Sequence, residues 1–146
     1  MSQADVLRRF AAVLGAHWVL AQLMPSPWWV PNLTIGALVL WTGRWPSRWW
    51  LFAVCAGWWM MVATVREPGA ALIGCVLIAS ATRVAVRQFD WDDPYLPEIC
   101  VVLGTAALTL STLWTEHVAS PTVLALALLH VCLTTLTVPL LRRVAG

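Results

Sequence analysis

The stretch from Met24 to Trp50 constrains the fold most, because prolines, tryptophans and arginines enclose a short apolar segment there. From Trp28 to Trp41 this segment has about 14 residues, whereas a helix that crosses a 30 Å hydrocarbon core needs roughly 20. The segment must therefore cross where the bilayer is thin, stand nearly upright, or end inside neighbouring protein. Its interpretation decides whether the number of crossings is even or odd, and hence the side on which every loop lies.

Composition places the whole chain in a membrane. Of its 146 residues, 60% are hydrophobic and 11% are charged, and the mean hydropathy is +0.77, whereas soluble domains are about 45–50% apolar and 25% charged. The basic residues are all arginines in pairs between apolar runs, so binding of nucleic acid is not expected. The cysteines lack CxxC spacing and are predicted to be buried free thiols: Cys55, Cys75, Cys100 and Cys132.

Apolar runs separated by proline, glycine and charged residues predict an all-α polytopic membrane protein, a compact bundle of about six transmembrane helices. One transmembrane domain covers residues 1–146. Pro31 is predicted to lie in the first turn of the second helix, and Gly43 to end that helix. The first helix is interpreted as a retained insertion signal. The predicted spans are roughly 6–24, 28–42, 49–65, 70–86, 97–114 and 121–141.

The distribution of arginine tests the count of six independently of hydropathy. If six helices cross, eight arginines fall on one side and only Arg66 on the other. Because positive charge is kept on the cytoplasmic side, both termini are predicted to be cytoplasmic. If the short second segment failed to cross, the first basic pair would face away from the later ones. The topology-setting residues are Arg8, Arg9, Arg44, Arg48, Arg83, Arg87, Arg142 and Arg143.

Two histidines, His17 and His130, lie near the centres of predicted spans, where an ionisable residue is a functional candidate. A neutral histidine is tolerated there for packing or for a hydrogen bond between helices, and that interpretation is favoured. Binding of a pigment or haem is the alternative, and it requires a ring-sized apolar cavity at each histidine. Hydroxyls within the spans are predicted to hydrogen-bond between helices: Ser80, Thr82, Thr105, Thr109, Ser111, Thr134 and Thr135.

No catalytic residues, metal site or cofactor are predicted, since the sequence has no GxSxG, HExxH or Walker motif. Glu116 and His117 lack a third ligand at metal-binding spacing and are interpreted as a solvated loop end.

Two groups are candidates for contact with partners or lipid. Trp58 and Trp59, inside the third span, could present a flat face to a membrane helix or an isoprenoid chain, with packing inside the bundle as the alternative. Asp90, Asp92 and Asp93 form an acidic loop that is either simply solvated or a docking surface for a basic partner. The other tryptophans near span borders are predicted to form an aromatic belt: Trp28, Trp29, Trp41, Trp45, Trp49, Trp50, Trp91 and Trp114.

The order of features from about residue 25 to residue 87 resembles the rod shape-determining protein MreD family. The second span opens with proline followed by an apolar run, a short basic turn precedes a glycine-bearing third span, and a Pro-Gly pair opens a fourth span that ends with arginine. The residues concerned are Pro31 to Ile35, Arg44 to Arg48, Gly57, Pro68, Gly69 and Arg83.

This resemblance implies a non-enzymatic scaffold of the bacterial cell-elongation machinery, which synthesises peptidoglycan and sets cell shape. The protein would lie in the inner membrane, bind MreC, and associate with the RodA glycosyltransferase and its class B penicillin-binding partner. Its fold would resemble the six-helix substrate-binding subunits, or S components, of energy-coupling-factor transporters.

Two other functions remain open from the residues alone. One is a substrate-binding subunit of a membrane transporter, which needs a polar cavity near the outer face. The other is an accessory subunit of a photosynthetic or respiratory complex, with His17 and His130 as axial ligands of a pigment or cofactor.

Overall fold

A computed structural model describes residues 2–64, 68–118 and 120–146, and in this part of the chain every regular element is helical, as predicted. Arg66, the one arginine predicted on the far side, lies outside the described residues. Two 3₁₀ turns cover Pro27–Trp29 and Pro46–Arg48. The α-helices are α1 (Gln3–Leu23), α2 (Leu33–Arg44), α3 (Trp49–Thr64), α4 (Pro68–Gln88), α5 (Leu96–Thr115), α6 (Pro121–Leu136) and α7 (Val138–Ala145).

The short helix α2 occupies the centre of the bundle. Every residue from Leu33 to Gly43 is buried, and α2 contacts α1, α3, α4, α5 and α7. Its 12 residues span about 18 Å. The helix begins inside the bundle, after the buried Asn32, and ends at the exposed Arg44. It begins later than predicted, because Asn32 is the N-cap and its Oδ1 accepts a hydrogen bond from Ile35 N at 3.1 Å. Pro31 precedes the cap and is not in the first helical turn.

The prediction that Gly43 ends α2 is wrong, because Gly43 lies within the helix. The helix continues to Arg44, and a Cβ atom at Gly43 would collide with the indole ring of Trp91. Glycine is therefore required at this position because the loop between α4 and α5 packs directly against the α2 backbone.

Side-chain contacts gather the arginines at one end of the bundle, here called the arginine end. Arg9 Nη1 donates to the carbonyl of Val144 at 2.9 Å, which joins the start of α1 to the end of α7. Arg142 Nη1 donates to the carbonyl of Pro94 at 3.1 Å, which joins α7 to the loop between α4 and α5. Arg83 lies 5.6 Å above the ring of Trp49, at the start of α3.

The interior of the arginine end is aromatic. Phe10 packs against Trp41 and Phe52 with ring centroids 5.7 and 5.1 Å apart, and Trp41 Nε1 donates to the carbonyl of Val6 at 3.2 Å. Trp41 is completely buried, so its assignment to an aromatic belt at the lipid border is wrong. Trp50 and Trp114 are more than half exposed, as a belt requires.

The predicted sixth span is two helices rather than one. Helix α6 ends at Leu136 and α7 begins at Val138, with Thr137 between them. The break follows from Pro139, which has no N–H to donate to the carbonyl of Thr135 four residues earlier.

The outer surface of the bundle is strongly apolar. On α3 the exposed side chains recur every four residues at Trp50, Val54, Trp58 and Val62, which places them on one face. Similar aliphatic faces cover α4, α5 and α6. The prediction that all four cysteines are buried holds only for Cys75, because Cys55 and Cys100 are half-buried and Cys132 is exposed on α6. Within the described residues, three segments are long and apolar enough to cross a membrane: Gly69–Gln88, Leu96–Thr115 and Pro121–Ala145.

A candidate binding cavity between the helices

His17 and His130, the two histidines singled out in the sequence, line the same cavity. It has a volume of about 450 Å³ and lies in the half of the bundle away from the arginine end, where α1, α3 and α5 approach their last turns. Its walls also include the turn that leads into α2. The lining residues are His17, Ala21, Gln22, Pro27, Trp28, Val30, Asn32, Trp59, Met60, Ala63, Leu108, Thr109, Thr112 and His130.

The ring of His17 is oriented by the backbone that precedes α2. Its Nδ1 lies 3.1 Å from the carbonyl oxygen of Pro31. A carbonyl can only accept, so Nδ1 carries the hydrogen, and in the neutral ring Nε2 is left as an acceptor. His17 therefore joins α1 to the entrance of α2 and contributes an acceptor to the cavity wall.

The ring of His130 packs edge-on against Trp28, with ring centroids 6.2 Å apart. This contact holds α6 against the 3₁₀ turn Pro27–Trp29. The Nδ1 atom of His130 is buried and lacks a hydrogen-bond partner in the described part of the chain, and the same holds for Nε1 of Trp59. Two buried polar atoms without partners thus belong to residues of one cavity wall, where each costs about 1–3 kcal/mol.

Asn32, which lines the cavity, is hydrogen-bonded to Thr134 of α6. Asn32 N donates to Thr134 Oγ1 at 2.8 Å, and that hydroxyl itself donates to the carbonyl of His130 at 2.8 Å. The pair is buried. Of the hydroxyls predicted to join helices, Thr134 does so, whereas Ser80, Thr82, Ser111 and Thr135 donate to carbonyls of their own helices.

A second, smaller space adjoins this cavity on the flank of the bundle. It has a volume of about 260 Å³ and is lined by Trp18, Trp59, Val62 and Ala63. Trp59 and Ala63 line both spaces and form their common wall. Trp18 of α1 and Val62 of α3 are 48% and 64% exposed, so this apolar cleft opens on the outer surface of the bundle.

The two tryptophans predicted as a pair have different environments. Trp59 lies in the wall of the cavity, whereas Trp58 is 66% exposed on the outer face of α3 and does not line it. The structure thus places only one of them at the candidate site.

The acidic loop lies far along the bundle from the cavity, at the arginine end. Its backbone is ordered by its own carboxylates: Asp90 Oδ1 accepts from Asp92 N at 3.0 Å, and Asp93 Oδ1 accepts from Tyr95 N at 2.9 Å. All three aspartates are exposed. The Asp92 carboxylate takes part in neither of these turns and faces solvent.

In the described ranges, the two histidines do not each have a ring-sized apolar cavity of their own. One cavity serves both histidines, and its lining includes Gln22, Asn32, Thr109 and Thr112. Among the residues described, no three His, Cys, Asp or Glu side chains are grouped as a metal site requires.

Several residues of the cavity are not candidates in the sequence analysis, although a signal for them exists. The pairs His17 and Ala21, Trp59 and Ala63, and Leu108 and Thr112 are each four residues apart and therefore share a helix face. What the sequence does not show is that these faces belong to the same end of three different helices.

The fold and the cavity together define a class: a helical bundle of membrane-protein character with an open cavity lined by uncharged polar, aromatic and aliphatic side chains. Comparison of this chain with protein-family models, with curated proteins and with solved structures finds no match.

Proposed function

We propose that this chain is a non-enzymatic scaffold of the bacterial cell-elongation machinery, as its resemblance to MreD implies. In this proposal it crosses the inner membrane six times with both termini in the cytoplasm, and it binds MreC-like, RodA-like and class B penicillin-binding proteins. The observation that carries the proposal is the position of the segment that bears the resemblance, because this segment builds the centre of the fold.

Three features of that segment have a packing role in the structure, whereas a Cβ atom at Gly69 would meet nothing within 4 Å. Ile35 is completely buried in α2, Gly57 lies directly against Leu72 where α3 and α4 cross, and Arg83 stacks on Trp49. These contacts fix the arrangement of α2, α3 and α4 relative to one another. A pattern that sets helix packing is expected to be shared by proteins with the same membrane fold.

The exposed faces of the helices support a function in binding other membrane proteins. Lipid and partner helices contact the same apolar surface, and large flat side chains give the most contact area. Trp58, which is 66% exposed, is the largest side chain at the middle of the exposed α3 face. We expect a partner helix to pack there.

Co-purification from gently extracted membranes tests the scaffold function. The expected result is recovery of an MreC-like protein with this chain, and rounding of rod-shaped cells when the chain is depleted. Trp58→Ala should weaken recovery, whereas Trp50→Ala, an equally exposed substitution at the arginine end of α3, should leave it unchanged. Normal cell shape after depletion, together with no recovered elongation protein, would rule the proposal out.

The acidic loop offers a separate test of cytoplasmic docking. Asp92→Lys reverses a charge that holds no turn together, so the fold should persist while a basic partner segment is repelled. Asp90→Ala, which removes the Oδ1 acceptor of the turn, is the control for a change in the turn itself. Equal partner recovery from the wild type and from Asp92→Lys would show that the loop is only solvated.

A further inference from the structure

We propose that the polar cavity and the apolar cleft together bind one lipid molecule, whose uncharged, hydroxyl-bearing headgroup lies in the cavity and whose hydrocarbon chain lies in the cleft. This inference goes beyond the scaffold function and does not depend on it. It rests on the adjacency of the two spaces, the chemistry of their walls, and the buried polar atoms at their junction.

The apolar cleft is suited to a hydrocarbon chain. Its walls are two indole rings, a valine and an alanine. It opens between α1 and α3 on the outer surface of the bundle, where Trp18 and Val62 are exposed. A chain from the surrounding bilayer can therefore enter sideways without leaving an apolar environment. The cleft leads to Trp59 and Ala63, beyond which the polar cavity begins.

The polar cavity is suited to an uncharged headgroup. Its volume of about 450 Å³ falls within the range of roughly 300–1,000 Å³ typical of small-molecule sites. No Asp, Glu, Lys or Arg is among the described residues that line it. A charged headgroup would therefore find no counter-charge in this lining, which favours an uncharged one.

The polar groups of the lining are a mixture of donors and acceptors. His17 presents an acceptor nitrogen, Gln22 an amide and Thr109 a hydroxyl. Thr112 presents a hydroxyl oxygen that can accept, because its hydrogen is donated to the carbonyl of Leu108 at 3.0 Å. A hydroxyl donates and accepts from a single oxygen and can therefore pair with either kind of group, so a glycerol or sugar headgroup matches this mixture.

Trp59 marks the junction between headgroup and chain. Its ring lines both spaces, and its Nε1 is buried without an acceptor in the described residues. A headgroup oxygen at the junction would supply that acceptor, while the ring packs against the first carbons of the chain. The polar border of a lipid molecule has this arrangement of oxygen next to hydrocarbon.

Photolabelling of the full chain in phosphatidylcholine nanodiscs tests the proposal. The probe is a monoacylglycerol with a diazirine in its acyl chain, and crosslinked residues are located by mass spectrometry. The expected result is saturable labelling at Trp18, Val62 or Ala63 that unlabelled monoacylglycerol displaces. A fatty acid with the same chain, which is anionic, should displace it at least about tenfold less well.

Two labelling outcomes would overturn the proposal. One is labelling that does not saturate and that also spreads over lipid-facing residues such as Val54, Leu103 and Leu128, which indicates bulk lipid. The other is displacement by the fatty acid as effective as that by monoacylglycerol, which shows that the headgroup is not held in the cavity.

Variants at the common wall complete the test. Trp59→Phe keeps an aromatic ring but removes the N–H, and it should raise the half-saturating probe concentration about three- to tenfold. Trp50→Phe, on the exposed face of α3 at the arginine end, should leave it unchanged. Ala63→Leu narrows both spaces without removing a buried polar group and should weaken labelling even if Trp59→Phe fails to fold. Unchanged labelling in Ala63→Leu would contradict the proposed position of the lipid.

Discussion

At the scale of single residues, His117 has the least favourable backbone conformation among the described residues other than glycine. Its φ of 51° is left-handed, and it follows the end of α5. The N–H groups of His117 and Val118 donate to the carbonyls of Trp114 and Leu113, each at 3.3 Å. This is the Schellman arrangement, in which the left-handed residue is usually glycine. His117 is therefore explained as a helix terminator rather than as a ligand.

Replacement of His117 by glycine should stabilise the protein. Glycine adopts the left-handed conformation without the steric cost of a Cβ atom, so His117→Gly should raise the free energy of unfolding by about 1 kcal/mol. His117→Ala is the control, because it removes the imidazole but keeps the Cβ and should give no gain. Thermal unfolding in detergent measures both. A gain of equal size in the alanine variant would show that the imidazole, not the backbone, is unfavourable.

Asp5 gives α1 a pH-sensitive N-terminus. Hydrogen bonds from the Ser2 hydroxyl at 2.6 Å and from the Ser2 backbone N–H hold the pKa of the Asp5 carboxyl below its ordinary value of 3.8. A carboxyl whose pKa is lowered on folding stabilises the fold at pH above its unfolded pKa, and this contribution disappears as pH falls through the folded pKa.

An NMR titration of the Asp5 side chain checks this prediction. The first turn of α1 should lose protection from hydrogen exchange as the pH falls below about 4, near the ordinary pKa of aspartate. In Ser2→Ala the pKa of Asp5 should rise towards its ordinary value, since its main hydrogen bond is absent. An Asp5 pKa that is the same with and without the Ser2 hydroxyl would contradict the capping explanation.

At the scale of helices, α3 and α4 cross at a glycine. A Cβ atom at Gly57 would lie 2.7 Å from Leu72 Cδ1 and 3.0 Å from Leu72 Cα. The second of these is backbone, which cannot rotate away, so the helices would have to separate. In lipid, where apolar burial contributes little to the association of helices, such close approach supplies much of the packing energy.

The two glycines Gly57 and Gly15 make a matched pair of variants. Gly57→Ala should destabilise the fold by about 1–3 kcal/mol, as overpacking does. Gly15→Ala should be neutral or stabilising by up to about 1 kcal/mol, because a Cβ there meets nothing within 4 Å and alanine favours the helix. Denaturant unfolding compares them. Equal effects of the two substitutions would show that the crossing of α3 and α4 is not tight.

At the scale of the whole molecule, the arginine end predicts that both termini and the turn between α2 and α3 lie on the same side of the membrane. Arg142 contacts the loop between α4 and α5, and Trp91 of that loop packs on Gly43, so Arg44 and Arg142 lie at the same end of the bundle. Because α2 is only 12 residues long, the chain between α1 and α2 must enter the bundle rather than remain at its surface. The hydrogen bond between Asn32 and Thr134 places the start of α2 beside the later part of α6.

Single-cysteine labelling from each side of the membrane tests this topology. In a variant without Cys55, Cys75, Cys100 and Cys132, a cysteine at Ser47 or at Arg143 should react only from the cytoplasm. A cysteine at Ser120, which is exposed before α6, should react only from outside. Labelling of positions 47 and 143 from opposite sides would exclude the six-crossing arrangement and the scaffold proposal with it.

The helical content and the approximate bounds of the helices follow from the sequence, because apolar runs and their proline and arginine borders are local signals. Thus α3 begins at Trp49 as predicted, and α5 begins at Leu96, one residue before its predicted start at 97. Pro139 is also a local signal for the break before α7, because proline cannot donate a helical hydrogen bond, although the sixth span is predicted as one helix. The sequence does not show which carbonyl each serine or threonine hydroxyl donates to, because a carbonyl of the same helix lies as close as one on a neighbouring helix.

By itself, the sequence determined that this chain is an apolar helical protein whose arginines fall between its helices, because hydrophobicity and charge act on each segment separately. Only the tertiary structure decided that α2 is surrounded by other helices and that His17, Trp59 and His130 line one cavity. It also decided that position 43 must be glycine, because the Trp91 ring occupies the space of a Cβ atom there. These facts depend on distances between helices far apart in the chain. Such distances are set by the packing of whole faces, and no short stretch of residues encodes them.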